Sequence, residues 1–298
     1  MRTDEVIEAA DAYLEAADED SAARLRFFKG IWEIQAEAEA GAPGYEAPVA
    51  EAATESLVTG QPLFLLSEPK VPGEEYRAVV GKIAAHVADA AGLDPGQAIA
   101  LREADLASAL NDERIADAVK DPEAFASQVW EALGDSGTAL SLPTVSFVLT
   151  SALSPFLTGP SAAALESLGE IRWSLWDSGS CPVCGSPAAL GRMGESTALQ
   201  GGQRGLWCSL CHAEWGFERL RCARCGSRAT VRMRYTYEES DPAHRLHLCD
   251  ECHGYLRVVF EDEMKRRTSM VVEDAVCVTL DAIARTNGYS PAGDEDRG

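Results

Sequence analysis

A chain of 298 residues, 46% hydrophobic and 25% charged, is long enough to bury a core and has the composition of a globular protein in water. Its 26 basic and 48 acidic side chains leave a net charge of −22, a balance that repels nucleic acid and anionic membrane surfaces. The N-terminus has no apolar run after a basic stretch, and the most apolar segment, Leu142 to Leu157, is short for a span and carries Pro143 and Pro155. No membrane insertion is therefore expected, and the cytoplasm is the expected compartment.

Residues 1–170 predict an acidic, all-helical domain. Residues 1–171 hold 10 basic and 30 acidic side chains, or −20. Ala22 to Ala38 sets Leu25, Phe28, Ile31, Trp32 and Ile34 at helical spacing, and Tyr76 to Ala91 repeats the pattern through Val79, Val80, Ile83, Ala84 and Val87. Breakers separate such segments at 41–44, 69–73 and 92–96. Asp121-Pro122 reads as an N-cap with proline at the first helical position, opening a helix through Phe125, Val129 and Trp130. The stretch from Leu142 predicts a buried helix or a hairpin of helices. None of these segments carries a phosphate loop, a nucleophile elbow or a dinucleotide fingerprint, and no enzymatic activity is expected.

The character changes near Trp176. Residues 172–257 hold 11 arginines and 9 acids, or +2, and are rich in Cys and Gly. Short β-like runs appear, such as Ala229 to Tyr237, followed by the turn-like Glu239 to Pro242 of a hairpin. One last helix is expected through Val272, Val276, Leu280 and Ile283 to Gly288.

Eight of the nine cysteines form four Cys-x-x-Cys pairs: Cys181/Cys184, Cys208/Cys211, Cys222/Cys225 and Cys249/Cys252. A shift of 41 residues carries the first two pairs onto the last two, together with Gly185 onto Gly226, Ser186 onto Ser227 and His212 onto His253. This is an internal repeat of one metal-binding unit. Two residues between cysteines let a tight turn aim both sulfurs at one ion, and glycine after the second cysteine permits the positive φ that the turn requires. His212 and His253 take that glycine's place in the second turn of each repeat, so less regular turns are expected there. The pairs are 23 residues apart within each repeat, a length that suits the hairpin of a zinc ribbon or rubredoxin-like unit. Two four-cysteine sites are expected, each holding zinc or a single iron. Disulfides and a thioredoxin-type redox pair are the less favoured readings, as is pairing across the repeats. A complete thiolate set leaves no coordination position for substrate, which argues against Lewis-acid catalysis.

His212, His244, His247 and His253 lie near the cysteines, but a surface or supporting role is expected for them rather than ligation. His86 is expected on a helix face and Cys277 as a buried thiol. The run Arg219, Arg221, Arg224, Arg228, Arg232 and Arg234 contains no acid. It admits contact with phosphates, with an acidic partner, or with the chain's own acidic helical half.

Several stretches together resemble the FdhE family of formate dehydrogenase accessory proteins. They are Cys181-Pro-Val-Cys-Gly-Ser186, Leu206-Trp-Cys-Ser-Leu-Cys-His-Ala-Glu-Trp215, Arg221-Cys-Ala-Arg-Cys225, Cys249-Asp-Glu-Cys-His-Gly-Tyr-Leu-Arg257, and a tail with Glu273-Asp-Ala275, Leu280-Asp281 and Gly288-Tyr289. The resemblance implies a cytoplasmic maturation factor that contacts the molybdenum-containing catalytic subunit of formate dehydrogenase, with iron associated with its cysteine sites. The expected architecture is α+β: a helical domain over 1–170, two rubredoxin-like metal units over 171–217 and 218–260, and a C-terminal helix with a flexible tail over 261–298. A zinc-ribbon nucleic-acid-binding protein and a soluble rubredoxin-like electron carrier are the alternative readings.

Overall fold

The computed structural model describes residues 3–90, 92–134, 139–169, 175–194, 203–264 and 269–293. Among these, nine helices come first: α1 (Thr3–Leu14), α2 (Glu19–Glu39), α3 (Ala50–Val58), α4 (Leu63–Leu66), α5 (Gly73–Ala88), α6 (Pro95–Glu103), α7 (Asp112–Asp117), α8 (Pro122–Ala132) and α9 (Leu142–Ser167). Their starts follow capping chemistry. Asp18, Asp94, Asn111, Asp121 and Ser141 each accept a first-turn backbone N–H, with proline in the first turn of α6, α8 and α9.

Helix α9 is the axis of this half, packing against α2, α5 and α8 through Val145, Val148, Leu149, Ala152, Leu153, Phe156 and Leu157. It is a single helix of 26 residues that continues beyond Pro155, longer than the sequence reading allowed. By length and composition alone it is apolar enough to cross a membrane, yet 56% of its apolar window is buried in the fold. Pro155 has no N–H for the carbonyl of Ser151 one turn earlier. That carbonyl instead accepts from Gln35 Nε2 of α2 at 2.8 Å. Gln35→Leu is therefore expected to strand a buried acceptor at about 1–3 kcal/mol, read as a lower denaturation midpoint at unchanged m-value.

The six strands among the described residues are β1 (Leu190–Met193), β2 (Gln203–Trp207), β3 (Glu214–Glu218), β4 (Met233–Glu238), β5 (Asp241–Cys249) and β6 (Tyr255–Phe260). They form one sheet in the order β3-β2-β1-β6-β5-β4, antiparallel except where β1 runs parallel to β6. The sequence repeat becomes a repeat of topology. Each 41-residue unit contributes a three-strand meander, and the two lie side by side. The register repeats too: Leu206 faces Trp215 in the first unit, and the positions 41 residues on, His247 and Leu256, face each other in the second.

Two short helices close the chain, α10 (Met270–Val276) and α11 (Val278–Thr286). The sequence predicted one helix here. The chain instead breaks at Cys277, and the two halves serve different cores. Val272 and Ala275 pack with Val6, Tyr13, Leu25 and Trp32 of the helical half, whereas Cys277, Leu280 and Ala284 cover Leu190, Trp207, Leu246 and Val259 of the sheet. Cys277 is buried as expected, and burial pushes its thiol well above the ordinary range. The expected boundary at 170/171 and the extreme tail, 294–298, lie outside the described residues.

Candidate metal centre

The eight cysteines gather as the repeat predicts, Cys181, Cys184, Cys208 and Cys211 in one group and Cys222, Cys225, Cys249 and Cys252 in the other. No pairing crosses between repeats in these groups, and all nine cysteines are free thiols. Sγ···Sγ distances are 3.5 Å for Cys181–Cys211 and Cys184–Cys208, and 3.8 and 3.9 Å for Cys222–Cys252 and Cys225–Cys249. These are far longer than a disulfide bond. A tetrahedron with metal–sulfur bonds of about 2.3 Å has edges of about 3.8 Å, so both groups fit an ion held by four sulfurs. Zinc and rubredoxin-type iron share that geometry, and the spacing does not choose between them.

Local backbone chemistry shapes each turn in the same way. Cys181 N–H donates to Ser186 O and Cys222 N–H to Ser227 O, both at 2.8 Å, while Gly185 and Gly226 donate back to Cys181 O and Cys222 O at 3.0 and 3.1 Å. Both glycines have positive φ, 82° and 73°, as the spacing required. His212 and His253 do as well, at 59° and 51°, so the second turns are as regular as the first and the expectation of irregularity is corrected. Cys208 N–H reaches Ala213 O and Cys249 N–H reaches Gly254 O, each at 3.0 Å. Gly185→Ala would place its Cβ 3.2 Å from Pro62 Cγ in a left-handed backbone. The expected cost is roughly 1–2 kcal/mol, whereas His212→Gly should be tolerated; thermal unfolding of the two variants makes the comparison.

Backbone N–H groups of Val183, Arg224 and Gly254 point at the sulfurs of Cys181, Cys222 and Cys252 at 3.4 Å, as thiolates require. The buried sulfurs of the first group act on one another's ionisation in opposite senses. Burial and the neighbouring sulfurs raise Cys181, burial raises Cys211, and hydrogen bonds from Cys181 and its neighbours draw Cys184 down. A bound cation would remove that conflict, and two such sites would each carry 2 − 4 = −2 if divalent.

The groups differ in setting. The first belongs to the main core together with Leu63, Phe64, Leu206 and Trp215. The N–H groups of Leu63 and Phe64, at the start of α4, donate to Pro182 O and Val183 O at 2.9 Å. The second group lies toward the exposed end of the sheet, where nearly all of β4 faces solvent. Two arginines approach it: Arg224, whose Nε donates to Tyr255 O at 3.0 Å, and the buried Arg204, which donates to Arg221 O at 2.8 Å. Burial lowers Arg204 to about 10 while the nearby Cys222 acts in the opposite sense.

The histidines stand apart from the sulfur sets. His212 stacks on Trp207 and His253 tilts over Tyr289. His247, lowered to about 3 by burial and then by Arg204, meets Arg204 through Nδ1 at 3.2 Å. His86 stacks on Phe27 with Nε2 2.8 Å from Phe27 O. His244, expected at the surface or beside the sulfurs, is buried in an ion pair with Glu273. Three of the six arginines in the run pair with acids outside the helical half. Arg221 pairs with Asp177, Arg228 with Glu218 and Arg234 with Asp250. Sequence motifs also gave no sign of a cleft of about 590 Å3 bounded by Trp32, Phe64, Phe147, Cys184 and His212, because its walls come from segments more than 150 residues apart.

Residues 180–219, which span the first cysteine group, match the family model described as FdhE, central domain. An FdhE homolog of Shewanella baltica is 34% identical over 110 residues, 37% of this chain and 35% of that protein. One of Stutzerimonas stutzeri is 30% identical over 177 residues, 55% of this chain and 52% of its own. The FdhE protein of Escherichia coli is 29% identical over 110 residues. The matched region thus spans about a third to a half of the length of these curated relatives. The crystal structure of the FdhE protein from Pseudomonas aeruginosa covers 98% of this chain and 94% of its own at a TM-score of 0.59 and 21% identity, a likeness of fold. The central-domain match lies on the first four-cysteine unit, and the chain is similar to FdhE proteins in part of its sequence and in its fold.

Proposed function

We propose that this protein is a cytoplasmic accessory factor for formate dehydrogenase, acting in maturation by binding the enzyme's catalytic subunit and catalysing no reaction itself. In this reading Cys181, Cys184, Cys208 and Cys211 hold one ion and Cys222, Cys225, Cys249 and Cys252 a second, iron or zinc. The units 171–217 and 218–260 then form a single rigid body for docking. The observation that carries the reading is the FdhE central-domain match over the first cysteine unit, with the same ligand set repeated 41 residues on. A bound ion would fix the loops of each group, and a complete thiolate set would keep it from acting as a Lewis acid. Arginines that would serve nucleic acid are engaged by Asp177, Glu218 and Asp250, which favours a protein partner.

The test is genetic and biochemical together. Deletion is expected to abolish formate oxidation, and the tagged protein is expected to co-purify with the catalytic subunit. Normal oxidation in the deletion strain with no association would remove the reading. Elemental analysis and the visible spectrum of the natively expressed protein count the ions and separate iron from zinc.

A further inference from the structure

Resting on the reading that the eight cysteines hold two ions, we infer that the second group is an exchange site, entered by thiolate substitution at Cys225, while the first releases its ion far more slowly. The two groups share spacing, turn geometry and donor set, so any difference in behaviour must come from their surroundings. In the first group the exposures are 0% for Cys181 and Cys208, 1% for Cys211 and 7% for Cys184. Of those four residues only Cys184 borders the cleft, and the turn that carries it is pinned to α4 by the N–H groups of Leu63 and Phe64. In the second group Cys225 is exposed and Cys252 partly so. The C-terminal segment covers only one side of it: Ser290 N–H donates to His253 O at 2.9 Å, and Gly293 approaches Cys252 O. Cys225 itself is left to solvent, and residues 228–232 that follow its turn are exposed as well.

Charge favours the same site. Arg224 belongs to the Cys222 turn, its N–H donating to Cys222 Sγ at 3.4 Å and its guanidinium to Tyr255 O at 3.0 Å, so a positive charge stands beside the second group. Substitution is balanced without an oxidant or reductant. An external thiolate bonds to the ion, the bond from the ion to Cys225 Sγ breaks, and the released Cys225 thiolate takes a proton from water. The ion keeps its oxidation state. At the first group, where three cysteines are sealed in the core and Cys184 is 7% exposed at the cleft wall, the same step is slower.

The test uses the full-length, metal-loaded wild-type protein under reducing conditions. Elemental analysis first establishes two ions per chain, and the chain is then mixed with the chromophoric chelator 4-(2-pyridylazo)resorcinol in the presence of N-ethylmaleimide. One equivalent of metal is expected to leave in a fast phase and the second at least about tenfold more slowly. Peptide mass spectrometry should find Cys225 alkylated in the fast phase while Cys181 and Cys208 stay unmodified. Two ions leaving in a single phase, or first-group cysteines alkylated ahead of Cys225, would overturn the exchange site and leave the two-ion reading standing. A protein that carries no ion at the outset overturns both.

Discussion

Replacing Cys181 or Cys208 by serine is expected to remove the first ion and, with it, the packing between the helical half and the sheet. The reason is where the group sits. Val183, Leu206, Trp215 and Phe217 share one buried cluster with Leu63, Phe64 and the residues of α9, and the turn that aims Cys181 and Cys184 is hydrogen-bonded to α4. Apparent binding energies for structural zinc in small peptides reach about 10–16 kcal/mol, the scale of an entire domain's stability of about 5–15 kcal/mol. Losing even part of that within the main core should give insoluble or loosely packed protein. The loss of near-ultraviolet circular dichroism with retained far-ultraviolet signal would register it. Cys225→Ser should lower the metal content by one ion while leaving the fold intact, since that sulfur faces solvent. A soluble Cys181→Ser protein with wild-type unfolding would show that the first group does not anchor the core.

The cysteine spacing specified both groups because the constraint is local and repeated. A Cys-x-x-Cys turn needs two residues between its ligands and a left-handed residue just after them, and both requirements can be read along the chain. The second turns are harder to read, because a residue other than glycine seldom takes the left-handed backbone that His212 and His253 adopt, at φ 59° and 51°. The long-range partners could not be read. Helix α9 passes Pro155 because Gln35, 116 positions away, takes up the freed carbonyl, and no periodicity marks that pairing. The last helix breaks at Cys277 because Val272 and Leu280 belong to different cores, whereas the sequence pattern treats them as one face. Three arginines of the run, Arg221, Arg228 and Arg234, found their acids within and beside the cysteine-bearing half, at Asp177, Glu218 and Asp250. Bulk charge pointed to the acidic helices instead, since composition records amount and not position.

Removing the carboxylate of Glu273 is expected to be among the most damaging single changes away from the cysteines. Glu273 is fully buried, and its Oε2 accepts from Tyr13 Oη at 2.5 Å and meets His244 Nε2 at 2.8 Å. His244 Nδ1 lies 2.7 Å from Asp241 Oδ2. Three segments far apart in sequence, α1, the start of β5 and α10, are thereby joined through one charged cluster. Burial alone would lower His244, but hydrogen bonds to Asp241 and then Glu273 raise it to about 9, so the imidazole is charged at neutral pH. Breaking such a buried pair typically costs about 3–5 kcal/mol, because the surviving charge is left uncompensated. Glu273→Ala and His244→Ala should each fall in that range. The double variant should lose much less than their sum, a coupling that a double-mutant cycle reads directly. The pH dependence follows from the raised histidine. Its stabilising contribution, about 3 kcal/mol from a shift of 6.5 to about 9, is complete below pH 6.5 and disappears as pH rises through 9. Wild-type stability measured across that window should fall relative to the His244→Ala variant, whose curve lacks this term; parallel curves for the two proteins would mean that His244 is not charged in the fold.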